Sequence, residues 1–283
     1  MKITKKVLGL VMGMIMAVGV VGCSSKTNES SNSSSSGKTK IEEIKEKGKV
    51  IVGLSAEYPP YEFVTMKDGK DEIVGVDIEI AKEIAKDLGV ELEITNMDFD
   101  GLIGALNADK IDMIISAMSP TEERKETTDF SDIYYASTNA IVVKEGFDGK
   151  IETKDDLKNY TVGVQRGSIQ EQYVSGELGL TKVKSLVSVT DLSLDLQNSN
   201  ADLVIVNDNV AKNLVTQFKG LKVLDTTVGA EVQEETAVGI KKTDKNKEFL
   251  DSINKTIKKL KDADQIAKYL EEATELAGKQ QNQ

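Results

Sequence analysis

The stretch IVGVDIEIAKEIAKDLGVELEIT, residues 73–95, decides the fold. Ile78, Ala81, Ile84, Ala85 and Leu88 succeed one another at spacings of 3, 3, 1 and 3. That spacing puts them on one face of a helix over 76–88. Gly89 stops the helix, and a strand over 91–95 follows. The same alternation runs outward in both directions. Strands are expected at 50–54, 111–116, 140–144, 161–165, 183–186, 203–206, 222–224 and 236–241. Helices are expected at 41–47, 100–108, 122–127, 154–157, 169–177, 190–197, 209–217, 245–262 and 263–276. Strands alternating with helices predict an α/β architecture with mainly parallel sheets.

Two internal echoes suggest two lobes of similar build. Leu102, Leu106, Asp112, Met113, Ile114 and Ile115 stand ninety residues before Leu192, Leu196, Asp202, Leu203, Val204 and Ile205. Ile51-Val52-Gly53 is matched by Thr161-Val162-Gly163.

Composition narrows the function. The chain has 283 residues, enough for a full core, and 39% of them are hydrophobic against 29% charged, as in a soluble globular protein. A net charge of −11 argues against a nucleic-acid partner, which needs a basic stripe. There is no histidine, which excludes Ser-His-Asp and Cys-His catalysis and removes the commonest transition-metal ligand. Neither metal nor cofactor is expected.

Residues 1–6 form a short basic segment with Lys2, Lys5 and Lys6, Val7–Val21 is apolar or small, and Gly22-Cys23 precedes a polar stretch. This is the pattern of a secretory signal over 1–22. Residues 23–40 are rich in Ser, Asn, Gly and Lys and read as a tether without a core. Cys23 is the sole cysteine. The run Val20-Val21-Gly22-Cys23 resembles the lipobox of bacterial lipoproteins, which implies lipidation of Cys23 and a folded part outside the cytoplasm.

In open α/β sheets ligands gather beyond the carboxyl ends of parallel strands. Four such ends lead into polar or aromatic loops, at 55–61, 116–121, 165–168 and 207–208. Tyr58-Pro59-Pro60-Tyr61 reads equally as a packed turn or as an aromatic wall. Ser119, Pro120 and Glu122 read as N-cap, first helical residue and capping box. Arg124, in the first turn, offers either a carboxylate fork or a surface pair to Glu123 or Asp129. Only Arg124 and Arg166 are arginines, against 34 lysines. Asp208 either holds an ammonium group or caps a helix starting at Asn209, and its spacing favours the cap.

The runs GLSAEYPPYEF (53–63), IVGVDIEIAKEIAKDLG (73–89), DFDGLIGAL (98–106), DKIDMIISAMSPTEERKETTDFSDIYY (109–135), DLKNYTVGVQRGS (156–168) and ADLVIVNDNVA (201–211) resemble, in order and spacing, the polar amino-acid solute-binding proteins of ABC transporters. The resemblance implies a two-lobe, type II periplasmic-binding-protein-like fold. Lobe 1 would comprise 41–137 and 236–283 and lobe 2 138–235, with crossovers near 134–139 and 232–236. It implies that Tyr58 and Phe99 sandwich the ligand side chain. Arg124 would clamp the α-carboxylate with Ser119 and Ser168, Ser116 and Ala117 would add backbone contacts, and Asp208 would accept the α-ammonium. Ser55 stands where basic-amino-acid binders often carry aspartate. Glu57 could supply that charge if it points inward, and Gln165 and Asn207 favour a polar side chain. The implied partners are a free amino acid, a permease and, through Cys23, the membrane of a Gram-positive bacterium, for a protein that is a monomer and not an enzyme. A dehydratase of small cyclic acids on the same fold, with Glu57 as its acid or base, and a sensory binding module are the competing readings.

Overall fold

A computed structural model describes residues 37–230 and 232–279. The signal, Cys23 and most of the tether lie outside the described residues. No described helix is long and apolar enough to cross a membrane.

The helix Val76–Leu88 forms where its pattern requires, and Gly89 closes it in the left-handed region. Its apolar face is buried throughout and packs on the C-terminal helices Lys247–Asp262 and Gln265–Lys279. Each fully buried Ile or Leu on that face contributes roughly 1.5–3 kcal/mol. The strand after Gly89, Glu91–Asn96, pairs in parallel with Lys49–Leu54.

Two five-stranded sheets share one plan. The first runs Glu91–Asn96, Lys49–Leu54, Met113–Ile114, Gly239–Lys241, Thr128–Phe130. The second runs Val183–Leu186, Val162–Gln165, Leu203–Asn207, Asn139–Lys144, Leu221–Val223. In each, four strands run one way and the fourth in the order runs against them, giving two parallel and two antiparallel pairings, so the sheets are mixed rather than simply parallel. The fifth strand of each sheet precedes a crossover, and the fourth strand follows the crossover from the other sheet. The crossovers pair with one another as a two-stranded ribbon, Tyr135–Ser137 against Glu234–Thr236. These elements form a two-lobed α/β molecule.

The internal echoes are structural equivalents. Gly53 registers with Ile114 and Gly163 with Val204. Asp112 Oδ2 accepts from the Ile51 amide at 3.0 Å, and Asp202 Oδ2 from the Thr161 amide at 2.6 Å. A Cβ on Gly53 would lie 3.2 Å from Leu102 and 2.3 Å from Ile111, and one on Gly163 3.0 Å from Leu192. In both lobes a glycine lets a helix leucine close on the sheet.

Some local readings change. Ser119 is not the N-cap. Thr121 is, accepting from the Arg124 amide at 3.3 Å, because its side chain faces the free amides of Glu122–Lys125. Asn207, not Asp208, caps the next helix through Oδ1, and Asp208 is its first residue. The expected strand at 236–241 splits, because the chain leaves the crossover ribbon after Thr236 and enters the first sheet at Gly239. A three-stranded hairpin sheet over Glu57–Tyr58, Glu62–Lys67 and Lys70–Val74 was not expected. Its turn places Asp68 and Gly69 at φ 52° and 74°, the conformation that Asp-Gly turns favour.

A buried carboxyl pair fixes the loop after Met113–Ile114. Asp77 accepts from the Ala117 amide at 2.7 Å and from the Tyr134 hydroxyl at 2.9 Å. Glu62 Oε1 accepts from the Ser116 hydroxyl at 2.5 Å, which itself accepts from the Ser55 amide at 3.1 Å. The Asp77 bond holds Ala117 at φ 43°, a left-handed conformation costly for alanine. Burial pushes the Asp77 carboxyl up to about 7, against the pull of the Ala117 and Tyr134 donors. Burial, then the neighbouring Asp77 charge, pushes Glu62 well above the usual range. The folded protein therefore holds a proton that the unfolded chain releases near the ordinary carboxylate pKa of about 4. Stability should fall as pH rises from about 5 to about 8, since the native state binds more protons in that window. Melting curves should show Tm dropping across it in the wild type and a shallower slope in Glu62→Gln. A Tm that rises with pH, or equal slopes in the two proteins, would contradict the retained proton.

Candidate binding cleft

Arg124 stands on a single helical turn, Glu122–Lys125, directly after the loop that follows strand Met113–Ile114. Its guanidinium donates to the Ser119 carbonyl at 2.6 Å and to the Gly167 carbonyl at 2.9 Å. The first acceptor belongs to the first lobe and the second to the loop after Val162–Gln165 in the other. The Phe99 ring lies under it, 5.5 Å from the guanidinium carbon. Neither Glu123 nor Asp129 forms an ion pair with Arg124. Burial lowers its pKa to about 10, and its proton stays on at neutral pH.

A narrow cavity opens beside it, lined in the first lobe by Tyr58, Phe99, Ser116, Ala117, Ser119 and Arg124. Gln165, Ser168, Ile169, Gln170 and Glu234 complete the wall. Ser119 Oγ is buried without a hydrogen-bond partner among the described residues. Ser168 caps Ile169–Glu171, accepting from the Glu171 amide at 3.1 Å, and its hydroxyl donates to the Gln165 carbonyl. Gln165 donates to the Val187 carbonyl at 3.2 Å.

The Tyr58–Tyr61 loop is docked by the amides at the start of Val76–Leu88, where Val76 and Asp77 donate to the Pro60 and Tyr61 carbonyls. Gly75 is required there. Its φ is 130°, and a Cβ would lie 2.1 Å from the Tyr61 carbonyl oxygen. Tyr58 stacks on Tyr61 with centroids 6.1 Å apart. The Tyr58 hydroxyl accepts from the Asn207 amide at 3.3 Å, and the Tyr61 hydroxyl accepts from Asn209 Nδ2 at 3.1 Å. Tyr61 is a packed residue tying the lobes, and Tyr58 lines the cavity.

Four of the residues singled out in the sequence stand apart from the cavity lining. Ser55 is buried behind it and acts on Ser116. Glu57 is exposed. Asn207 is fully buried as a cap, with Nδ2 donating to Ser137 Oγ at 2.6 Å. Asp208 pairs through Oδ2 with Lys212 at 2.8 Å, while its Oδ1 is buried without a partner among the described residues.

Glu234 and Gln170 are the residues that sequence reasoning missed. Glu234 lies in the crossover ribbon and is 3% exposed. Its Oε2 accepts from Gln170 Nε2 at 3.1 Å, and the same amide donates to Asn139 Oδ1 at 2.6 Å. Burial raises its carboxyl to about 7, against the hydrogen bonds and the Arg124 charge that pull it down. Among the described residues no group of His, Cys, Asp and Glu is arranged to hold a metal.

The chain matches the family described as bacterial extracellular solute-binding proteins, family 3, over residues 50–274. It is 37% identical over 267 residues to the arginine-binding extracellular protein ArtP of Bacillus subtilis, covering 93% of this chain and 96% of that one. It is 32% identical over 217 residues to the L-cystine-binding protein TcyJ of Escherichia coli, covering 77% and 79%. Among solved structures it is similar to the amino acid ABC transporter substrate-binding protein AbpA of Streptococcus pneumoniae bound to L-arginine. The TM-score is 0.79 at 38% identity, covering 83% of this chain and 98% of that one. These relatives are binding proteins. The two-lobed α/β fold, the cleft walled by both lobes and these likenesses together identify the chain as a member of the bacterial extracellular solute-binding proteins, family 3.

Proposed function

We propose that this protein captures a free amino acid with a polar or basic side chain outside the cytoplasm and delivers it to the permease of an ABC transporter. Arg124 carries the reading: a planar fork of donors, set in the cleft between two lobes and opposite an unpartnered Ser119 hydroxyl, suits a carboxylate. On this reading the ligand carboxylate displaces the Gly167 carbonyl from Arg124 and takes up Ser119 and Ser168. Ser116 and Ala117, held in place by the carboxyl pair, offer backbone groups. Tyr58 and Phe99 flank the side chain, with Gln165 on the second wall. Residues 41–137 and 236–283 would act as one closing body and 138–235 as the other.

A cationic side chain, with L-arginine foremost, fits the electrostatics. Asp100, Glu123 and Glu171 line the groove that adjoins the cavity at Arg124, and an acidic mouth raises the local concentration of cations. The relatives named for arginine support the same choice. Cys23 would carry the lipid that holds a monomer on the outer face of a Gram-positive membrane, with residues 23–40 as spacer. Binding, with the ligand released unchanged, would be the whole of its chemistry.

Titration calorimetry of residues 24–283 against L-arginine, L-lysine, L-glutamine and L-cystine should give saturable heat, strongest for a cationic ligand. Flat traces for all four would contradict the reading. Arg124→Ala should weaken binding by about 2 kcal/mol or more, the usual cost of removing one partner of a buried charged pair, while its far-UV circular dichroism stays that of the wild type. Near-normal affinity in that variant would remove Arg124 from the site.

A further inference from the structure

Arg124 and Arg166 are the chain's two arginines, and only Arg124 lines the cavity. Arg166 stands in the second lobe, directly after the strand Val162–Gln165, and reaches across the cleft to the first. Its Nη1 lies 3.6 Å from Oδ2 of Asp100, in the turn Phe99–Gly101. Asp100 lines the groove that adjoins the cavity at Arg124, so the pair bridges the lobes at the mouth of the cleft. Neither member lines the cavity itself.

The backbone beside the pair is built for this approach. Gly167 has φ 75°, and a Cβ on it would lie 2.9 Å from Asp100 Cβ and 3.0 Å from Asp100 Cα. A glycine is what lets the two chains close to this distance. The segment is fixed to its own lobe, since the Arg166 amide donates to the Leu186 carbonyl at 2.8 Å and the Gly167 amide to Glu171 Oε2 at 2.7 Å. Its contacts with Asp100 are therefore contacts of one lobe with the other. The Gly167 carbonyl makes a further bridge, to Arg124 at 2.9 Å. A ligand carboxylate that takes up Arg124 breaks that bridge and leaves Arg166–Asp100 intact. The side chains of the pair are 50% and 32% exposed, so it adds little to the stability of either lobe. It forms only while the lobes are together, and a contact made in one of two states shifts the balance toward that state.

Building on the functional reading above, in which the lobes close on the ligand, we propose that Arg166 and Asp100 form a latch across the mouth of the cleft. It favours the closed state with or without ligand and slows the ligand's escape. The groups in the cavity then choose the ligand, and the latch sets how long it stays. Asp100 also belongs to the acidic groove, together with Glu123 and Glu171, so changing its charge alters the entry of a cation. The rate of release isolates the latch from that effect.

Release is read by rapid filtration, chasing bound radiolabelled L-arginine from the purified protein with excess unlabelled L-arginine. Arg166→Gln and Asp100→Asn should each speed release about two- to fivefold, the scale of a partly exposed ion pair. Asp100→Lys sets like charges face to face and should speed it further. Adding Arg166→Glu to Asp100→Lys should return the rate to within about twofold of the wild type, a recovery that lost packing alone would not give. Small-angle X-ray scattering of the ligand-free proteins should show a larger radius of gyration in Asp100→Lys than in the wild type or the charge-swapped double variant. Unchanged release in the three single variants, no recovery in the double variant, or equal ligand-free radii in Asp100→Lys and the wild type overturns the latch while the functional reading stands. Failure of the wild type to bind any of the four amino acids overturns that reading, and the latch with it.

Discussion

One guanidinium joins the lobes of this protein, and its partners are carbonyl oxygens. Arg124 offers five donors in a fixed fork, and the Ser119 and Gly167 carbonyls use them incompletely. A cation drawn partly out of water and met only by neutral acceptors is under-compensated. The arrangement closes the cleft but leaves its charge available to a carboxylate with better geometry. Much of the remaining architecture serves that residue. Phe99 lies beneath it, Thr121 caps the turn that carries it, and the Glu62–Asp77 pair sets the loop that leads to it.

The plan of the molecule makes such a site recur at one place. Each lobe ends its parallel strands at the cleft, and each sheet takes its fourth strand from a crossover. The segments that follow Leu54, Ile114 and Gln165 therefore line one cavity from both lobes without any of them needing to be long. The aspartates that brace the third strand of each sheet, Asp112 and Asp202, and the glycines beneath each leading helix, Gly53 and Gly163, repeat this plan in sequence and in register.

Much of this is legible in the sequence because periodicity reports burial. Residues 76–88 and the paired echoes are read correctly, since a helix face and a buried strand each impose their own spacing. The hairpin sheet over 57–74 is missed although Asp68-Gly69 marks its turn, because its buried positions, Tyr58, Glu62, Phe63 and Thr65, follow no apolar alternation. Arg124 stands out by rarity. Glu234 does not: it sits in a short crossover strand beside a second acid, Glu235, and only the pairing with Ser137 and the approach of Gln170 across the fold carry it inside. The cap at Asn207 is misassigned to Asp208 by one residue, a shift that spacing alone cannot resolve.

The most direct measurement is a crystal structure of residues 24–283 grown with L-arginine. The account predicts the amino acid between the lobes, its α-carboxylate on the Arg124 fork and Ser119 Oγ, its side chain between Tyr58 and Phe99, and the Gly167 carbonyl released. Arginine bound elsewhere, or held in the cleft with Arg124 still spent on the Ser119 and Gly167 carbonyls, would contradict it.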